Sequence, residues 1–274
     1  MTIPQRDATG NPLHAWQEAT WLLIALLTPL FVNLWVEQQF EASKIWLLRT
    51  LVAVLVLLWL AGWISGLRPK PLPPQIRTIL IILALVLILA TLFSPNRYIA
   101  IFGSLDRANG VLTQISYLLL FACVATQIDA RQGQRLLHAI VLTAVPILLL
   151  GLLQASGWQP LPLLTDARSP MTTTLGRANF TGAYLALLLP LILTAAQMAK
   201  TKAQRYGYAA LFLLSILVIA LSQARAAWIA AAVGLCALFW LRAAPRWPPR
   251  AWWISGLAGA AVMVGGLLLL LPQA

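Results

Sequence analysis

Long apolar stretches alternate along the chain with short polar ones, and the length of the apolar stretches decides what they are. A helix needs about 20 apolar residues to cross the hydrocarbon core of a bilayer. Runs of that order recur at 15–36, 44–66, 76–93, 110–127, 135–156, 178–198, 206–222, 225–241 and 251–271. They predict nine transmembrane helices in a single membrane domain, 1–274, so the expected fold is an all-α polytopic bundle. Between the seventh and eighth runs, LSQARAAW leaves almost no loop. A tight hairpin is expected there, because the 36 residues of 206–241 are too many for one span.

Two connections are longer than turns. SPNRYIAIFGSLDRANG (94–110) mixes apolar and polar residues in a way that suits a segment lying along the membrane interface. GWQPLPLLTDARSPMTTTLG (157–176) is rich in Pro and Thr and reads as an irregular outer loop. The Pro-rich GLRPKPLPPQIR reads as a short cytoplasmic connector.

Composition sharpens this picture. With 61% hydrophobic and 9% charged residues, the chain has too little polar surface for a soluble domain. The net charge of +12 fits basic residues in short cytoplasmic loops better than a nucleic-acid partner, and none is expected. An inside N-terminus puts twelve of the 19 basic residues in the cytoplasm: Arg6, Arg68, Lys70, Arg77, Arg131, Arg135, Lys200, Lys202, Arg205, Arg242, Arg246 and Arg250. Lys44, Arg49, Arg97, Arg107, Arg168, Arg177 and Arg225 then lie outside or at outer helix ends, and nine spans carry the C-terminus outside. Trp16, Trp158, Trp228, Trp247, Trp252 and Trp253 fall near predicted helix ends, where indole rings favour the interface. The N-terminus lacks the basic region and cleavage site of a signal peptide, so the first apolar run reads as a retained span. Cys123 and Cys236 fall inside apolar runs and imply neither a disulfide nor a metal site.

The candidate chemistry lies at the outer helix ends. In this topology the even-numbered spans start on the outer side, and their unpaired N–H groups and positive dipole ends face outward. Arg177 starts the sixth span, Arg225 starts the eighth, and Arg107 precedes the fourth. A guanidinium at a positive helix end suits an anion site better than an ordinary cap. Arg177, Thr181 and Tyr184 are spaced to share one helix face, Asn179 starts a neighbouring face, and Gln223 precedes Arg225. Guanidinium forks, amides and hydroxyls together form a donor set for a diphosphate. One terminal Arg is explained by a headgroup phosphate, whereas the pair at two outer ends favours a functional site.

Other charged residues have plainer readings. Glu37 and Glu41 could form a carboxylate pair for acid/base work, but solvated loop charges are the commoner finding, and neutralisation by Lys44 and Arg49 is the simple alternative. Asp106 with Arg107, and Asp166 with Arg168, read as local ion pairs. His14 and His138 both fall on the cytoplasmic side, which leaves no imidazole beside the outer arginines as a general base. No GxGxxG, Walker, HExxH or CxxC motif occurs, so neither a metal nor a cofactor is expected.

Several of these segments resemble the O-antigen ligase and polymerase superfamily. TTLGRANFTGAYLALLLPL is similar to the family's G-N-x-N-F-x-G-x-x-L helix opening, and LSQARAAWIAAAVGL to its T-x-S-R-G-A-W-L-G hairpin. FSPNRYIAIFGSLDRANGVLTQISYLLLF resembles an interfacial stretch followed by G-S-x-x-R-x-x-G, and LTPLFVNLWVEQQFEASKIWLLR fits the family's opening. Arg177 stands where family members often have Asn, and Ala226 where Gly is frequent. The resemblance implies a multi-pass glycosyltransferase of the cytoplasmic membrane. Such an enzyme moves a glycan from an undecaprenyl-diphosphate carrier to a lipid or glycan acceptor on the outer face. Arg177 and Arg225 would hold the donor diphosphate without a metal, assisted by Asn179, Thr181, Tyr184, Gln223 and Arg107. The family continues into a long outer loop with a His base and further helices, whereas this sequence ends at LLLLLPQA. The expectation is therefore a chain lacking that C-terminal part, with a second chain as one candidate source of it. The alternatives are a non-catalytic subunit or lipid-binding scaffold of the same fold and, last, a transporter.

Overall fold

The computed structural model describes residues 12–164, 169 and 171–243. The ninth predicted span, the Asp166–Arg168 pair, Trp247, Trp252 and Trp253 lie outside the described residues. The described residues are all-helical: α1 (Pro12–Leu30), α2 (Glu41–Ile64), α3 (Pro74–Leu92), α4 (Arg97–Phe102), α5 (Val111–Ala125), α6 (Ala130–Leu142), α7 (Ala144–Ala155), α8 (Ala178–Met198), α9 (Lys202–Leu221) and α10 (Arg225–Ala243). Six segments are long and apolar enough to cross a membrane: α2, α3, the continuous 130–155 stretch formed by α6 and α7, α8, α9 and α10. The protein is a multi-pass helical membrane bundle. The first predicted span, as α1, and the fourth, as the shorter α5, are helices that do not meet both criteria.

Element boundaries follow local chemistry. At α6, Asp129 accepts from the Gln132 N–H at 2.7 Å and Gln132 Oε1 accepts from the Asp129 N–H at 3.0 Å. This capping box starts the helix five residues before the apolar run at 135. Thr201 and Gln204 form the same box on α9. Pro146 cannot donate to the Leu142 carbonyl, and the chain steps from α6 to α7 at Thr143, whose N–H bonds Ile140 O instead at 3.2 Å. Residues 31–36, expected in the first span, leave the helix after Pro29, and Asn33 Oδ1 accepts from Trp35 N to form a turn. Between α9 and α10, residues 222–224 make the sharp break expected of a hairpin, yet α10 packs chiefly on α8 and little on α9.

The core sits around α8, where Leu185, Leu188, Leu189 and Ile192 are buried against α6, α7, α9 and α10. A second cluster joins α1, α2 and α5 through Trp21, Ile24, Leu48, Val52, Leu55 and Cys123. Helix α3 buries no residue at all, which suits a helix facing lipid. At Gly182, a Cβ would lie 2.7 Å from Ala227 Cβ and 2.9 Å from Ser222 Oγ, so only glycine lets α10 approach α8 this closely.

The loop expected at 157–176 is irregular, and part of its second half is buried within the bundle. Met171 through Thr174 are buried. The Thr172 and Thr173 N–H groups both donate to Gln154 Oε1, at 2.9 and 2.8 Å, and Thr174 Oγ1 donates to Pro29 O at 3.0 Å. Irregular backbone is tolerated in this buried position because protein groups satisfy its polar atoms. The 94–110 segment contains α4, whose Tyr98 and Phe102 rings meet at a tilt with centroids 5.0 Å apart.

Candidate functional site

Contacts between helix ends define two ends of the bundle. At one end lie the first turns of α2, α5, α8 and α10. Lys44 on α2 reaches Thr174 ahead of α8, Arg49 reaches Thr113 on α5, and Gly182 on α8 meets Ala227 on α10. At the other end, Arg135 on α6 pairs with Glu18 on α1 at 2.7 Å, and Arg242 at the end of α10 bonds Thr194 near the end of α8. Arg107, Arg177 and Arg225 therefore share one end, and the two histidines lie at the opposite one.

Two cations at this first end serve the scaffold. The last four carbonyls of a helix have no intrahelical donor, and Lys44 Nζ donates to one of them, Pro29 O of α1, at 3.0 Å, as well as to Thr174 O. Lys44 lies within Coulombic reach of Glu41, yet its hydrogen bonds go to backbone. Arg49 Nε donates to Thr113 Oγ1 at 2.9 Å, and its Nη2 donates to Phe102 O at 3.0 Å and to Ala108 O. Its guanidinium also lies 5.0 Å from the Trp46 ring. Arg49 is not engaged with Glu37 or Glu41; it ties the loop between α4 and α5 to α2.

With the loop so held, Arg107 turns away from its sequence neighbour. Arg107 Nε pairs with Glu41 Oε2 at 3.5 Å, whereas Asp106 Oδ1 accepts from Gln38 Nε2 at 3.4 Å. The expected Asp106–Arg107 pair does not form, and Glu41 is engaged by a guanidinium rather than by Glu37. Arg107 and Glu41 border an open cleft of about 380 Å³ that Thr28, Lys44, Asn109, Tyr117 and Phe180 also line. Thr28 Oγ1 is buried there without a hydrogen-bond partner. Phe180 belongs to the first turn of α8, which sets that turn against the cleft. Thr28, Asn109, Tyr117 and Phe180 were not legible as site residues because they come from two helix ends, the middle of α5 and a loop.

Arg177 and Arg225 differ from the α2 cations. Both are exposed, and neither side chain makes a hydrogen bond or ion pair with another described residue. Asn179 and Gln223 are exposed beside them. The helix face expected from Arg177, Thr181 and Tyr184 is divided. Thr181 is fully buried, with its hydroxyl bonded to Thr173 Oγ1 at 2.7 Å and to Arg177 O at 3.1 Å. Tyr184 pairs its hydroxyl with Thr143 Oγ1 at 2.7 Å. These two hydroxyls fasten α8 inside the bundle, and the exposed donors are the arginines, Asn179 and Gln223.

A backbone feature marks the same three loops. Among the described residues, the non-glycine positions with positive φ are Ala108 at 47°, Thr173 at 48° and Gln223 at 54°. They stand next to Arg107, four residues before Arg177 and two before Arg225. Left-handed backbone in a non-glycine residue costs on the order of 1–3 kcal/mol and tends to persist where function uses the geometry. Comparison with family models, with curated proteins and with solved structures finds no match for this chain.

Proposed function

We propose that the chain is a membrane glycosyltransferase resembling the O-antigen ligases, with the arginine-bearing end of the bundle outward as the donor site. The observation that carries this reading is the pair of uncommitted guanidinium groups, Arg177 and Arg225, at adjoining helix N-termini, whereas Lys44 and Arg49 of α2 at the same end are consumed by the scaffold. Orientation follows from charge. Among the described residues, Arg68, Lys70, Arg77, Arg131, Arg135, Lys200, Lys202, Arg205 and Arg242 belong to the opposite end, which the positive-inside rule assigns to the cytoplasm.

In the proposed reaction an acceptor hydroxyl attacks the anomeric carbon of a polyprenyl-diphosphate glycan, and the bond to the diphosphate oxygen breaks. Arg177 and Arg225 stabilise the charge that builds on the departing diphosphate, with the dipoles of α8 and α10 adding to the same field. Asn179 and Gln223 supply neutral donors to its oxygens. Glu41, the carboxylate lining the cleft, is the group there that can accept the hydroxyl proton. Transfer from a labelled lipid-linked glycan tests the reading: Arg225→Ala is expected to lower turnover by about 10²–10³, the usual loss for one preorganised donor. Turnover equal to that of the parent would remove Arg225 from the mechanism.

One observation favours a second reading, a non-catalytic scaffold that holds the same lipid. His14 and His138 are both at the opposite end, so imidazole base chemistry is not offered at the arginine end by the described residues. Binding of the lipid-linked glycan without transfer, in a chain of intact stability, would support that alternative.

A further inference from the structure

The opposite end of the bundle carries a second basic cleft, larger than the first and unconnected with the proposed reaction. It lies between the start of α6 and the turn from α8 to α9, with a volume of about 840 Å³. Arg131, Arg135, His138, Lys200, Gln204 and Tyr208 supply its polar lining, and Met198 and Ala199 an apolar wall. Both sides are locally fixed, one by the Asp129–Gln132 capping box and the other by the Thr201–Gln204 box.

The charge there is not cancelled. Glu18 is engaged by Arg135 at 2.7 Å and by Gln132 Nε2 at 3.1 Å. Asp129, held below the usual carboxylate range chiefly by the Gln132 N–H, lies within Coulombic reach of Arg131 and Lys70. Against these two carboxylates stand Arg131, Arg135 and Lys200, with Lys202 and Arg205 on the first turn of α9. The side chains of Arg131 and Lys200 make no hydrogen bond or ion pair with another described residue. His138 Nδ1 is satisfied by Gln134 O at 2.6 Å, which directs the ring and leaves Nε2 free.

We propose that this cleft binds the phosphate of an anionic phospholipid headgroup, with Arg131 and Lys200 as its principal cationic contacts. A volume of this size suits a headgroup. Basic recesses between transmembrane helix ends are placed at headgroup level, and Arg supplies a bidentate fork where Lys supplies a point charge. A soluble phosphate compound shares the chemistry but would gain nothing from the wall of Met198 and the Tyr208 ring, beside which acyl chains and glycerol can pack.

The test uses the full chain, purified in a neutral detergent, with binding read by native mass spectrometry and by thermal stability. The probes are dioleoylphosphatidylglycerol, dioleoylphosphatidylcholine and inorganic phosphate. Phosphatidylglycerol is expected to bind more tightly than phosphatidylcholine and to stabilise the chain where inorganic phosphate does not. The double variant R131Q/K200Q should bind phosphatidylglycerol about thirtyfold more weakly, from two basic contacts at the membrane surface. The charge-keeping R131K/K200R should retain most of the affinity, and R97Q at the opposite end should leave it unchanged. Equal binding of the two lipids by the parent overturns the proposal, a result that needs no variant to fold. So does stabilisation by inorganic phosphate equal to that by phosphatidylglycerol, or a loss in R97Q as large as in the double variant.

Discussion

Lys44 and Arg49 stand at the same end of the bundle as Arg177 and Arg225, and all four are cations at or near the start of an apolar helix. Their surroundings differ completely. Lys44 and Arg49 donate to Pro29 O, Thr174 O, Phe102 O, Ala108 O and Thr113 Oγ1, every one an acceptor supplied by an irregular segment or a helix end. Arg177 and Arg225 donate to no described residue. A cation near a membrane is costly unless something meets it, and for the first pair the protein itself does so. For the second pair no acceptor occurs among the described residues, and the proposed function assigns that place to the lipid-linked donor.

This contrast is broken most severely by removing a scaffold cation. Arg49→Met orphans Phe102 O, leaves Ala108 O with only the Thr113 hydroxyl and removes the donor to Thr113 Oγ1, and a loss of about 3 kcal/mol is expected in reversible unfolding from mixed micelles. The variant should also loosen the α4–α5 loop and with it the Arg107–Glu41 pair, visible as faster hydrogen exchange over 103–110. Lys44→Met orphans Thr174 O but leaves Pro29 O with the Thr174 hydroxyl, so about 2 kcal/mol is expected by the same measurement. Gly182→Val forces a methyl group into Ala227 and Ser222 and should cost about 1–3 kcal/mol while spreading α8 from α10. Because that spreading also separates the N-termini that carry Arg177 and Arg225, lipid-linked glycan binding should fall with it. The smallest effect on stability belongs to Arg177→Gln and Arg225→Gln, each expected within about 0.5 kcal/mol of the parent. A destabilisation as large as that of Arg49→Met would erase the distinction between the two pairs.

Much of the architecture was legible from the apolar runs, because hydrocarbon thickness fixes a length that a sequence displays directly. Helix α3 illustrates what the runs do not display. Its mean hydropathy of 2.4 exceeds the 1.6 of α8, yet none of its most apolar window is buried, against 50% for α8. In a bilayer the lipid is as apolar as Leu, so apolar character does not mark the core. Small and polar residues such as Gly182, Thr181 and Ser215 do. The spacing of Arg177, Thr181 and Tyr184 predicts one shared helix face, but Arg177 is the extended N-cap of α8 and only the other two lie within the helix. It did not reveal that Thr173 and Thr143, distant in sequence, would take the two hydroxyls inward. The roles of Lys44 and Arg49 were hidden for the same reason, since carbonyl acceptors belong to the backbone and carry no sequence signal.

The most direct test of the diphosphate site is the affinity of a polyprenyl-diphosphate glycan for the chain in phosphatidylcholine nanodiscs. Parent, Arg177→Gln, Arg225→Gln and, as a control on the opposite end, Arg77→Gln would be compared at matched stability. Loss of a charge-assisted contact of about 1.5–3 kcal/mol predicts at least tenfold weaker binding for each of the first two variants and none for the control. Equal affinity across all four proteins would contradict the account.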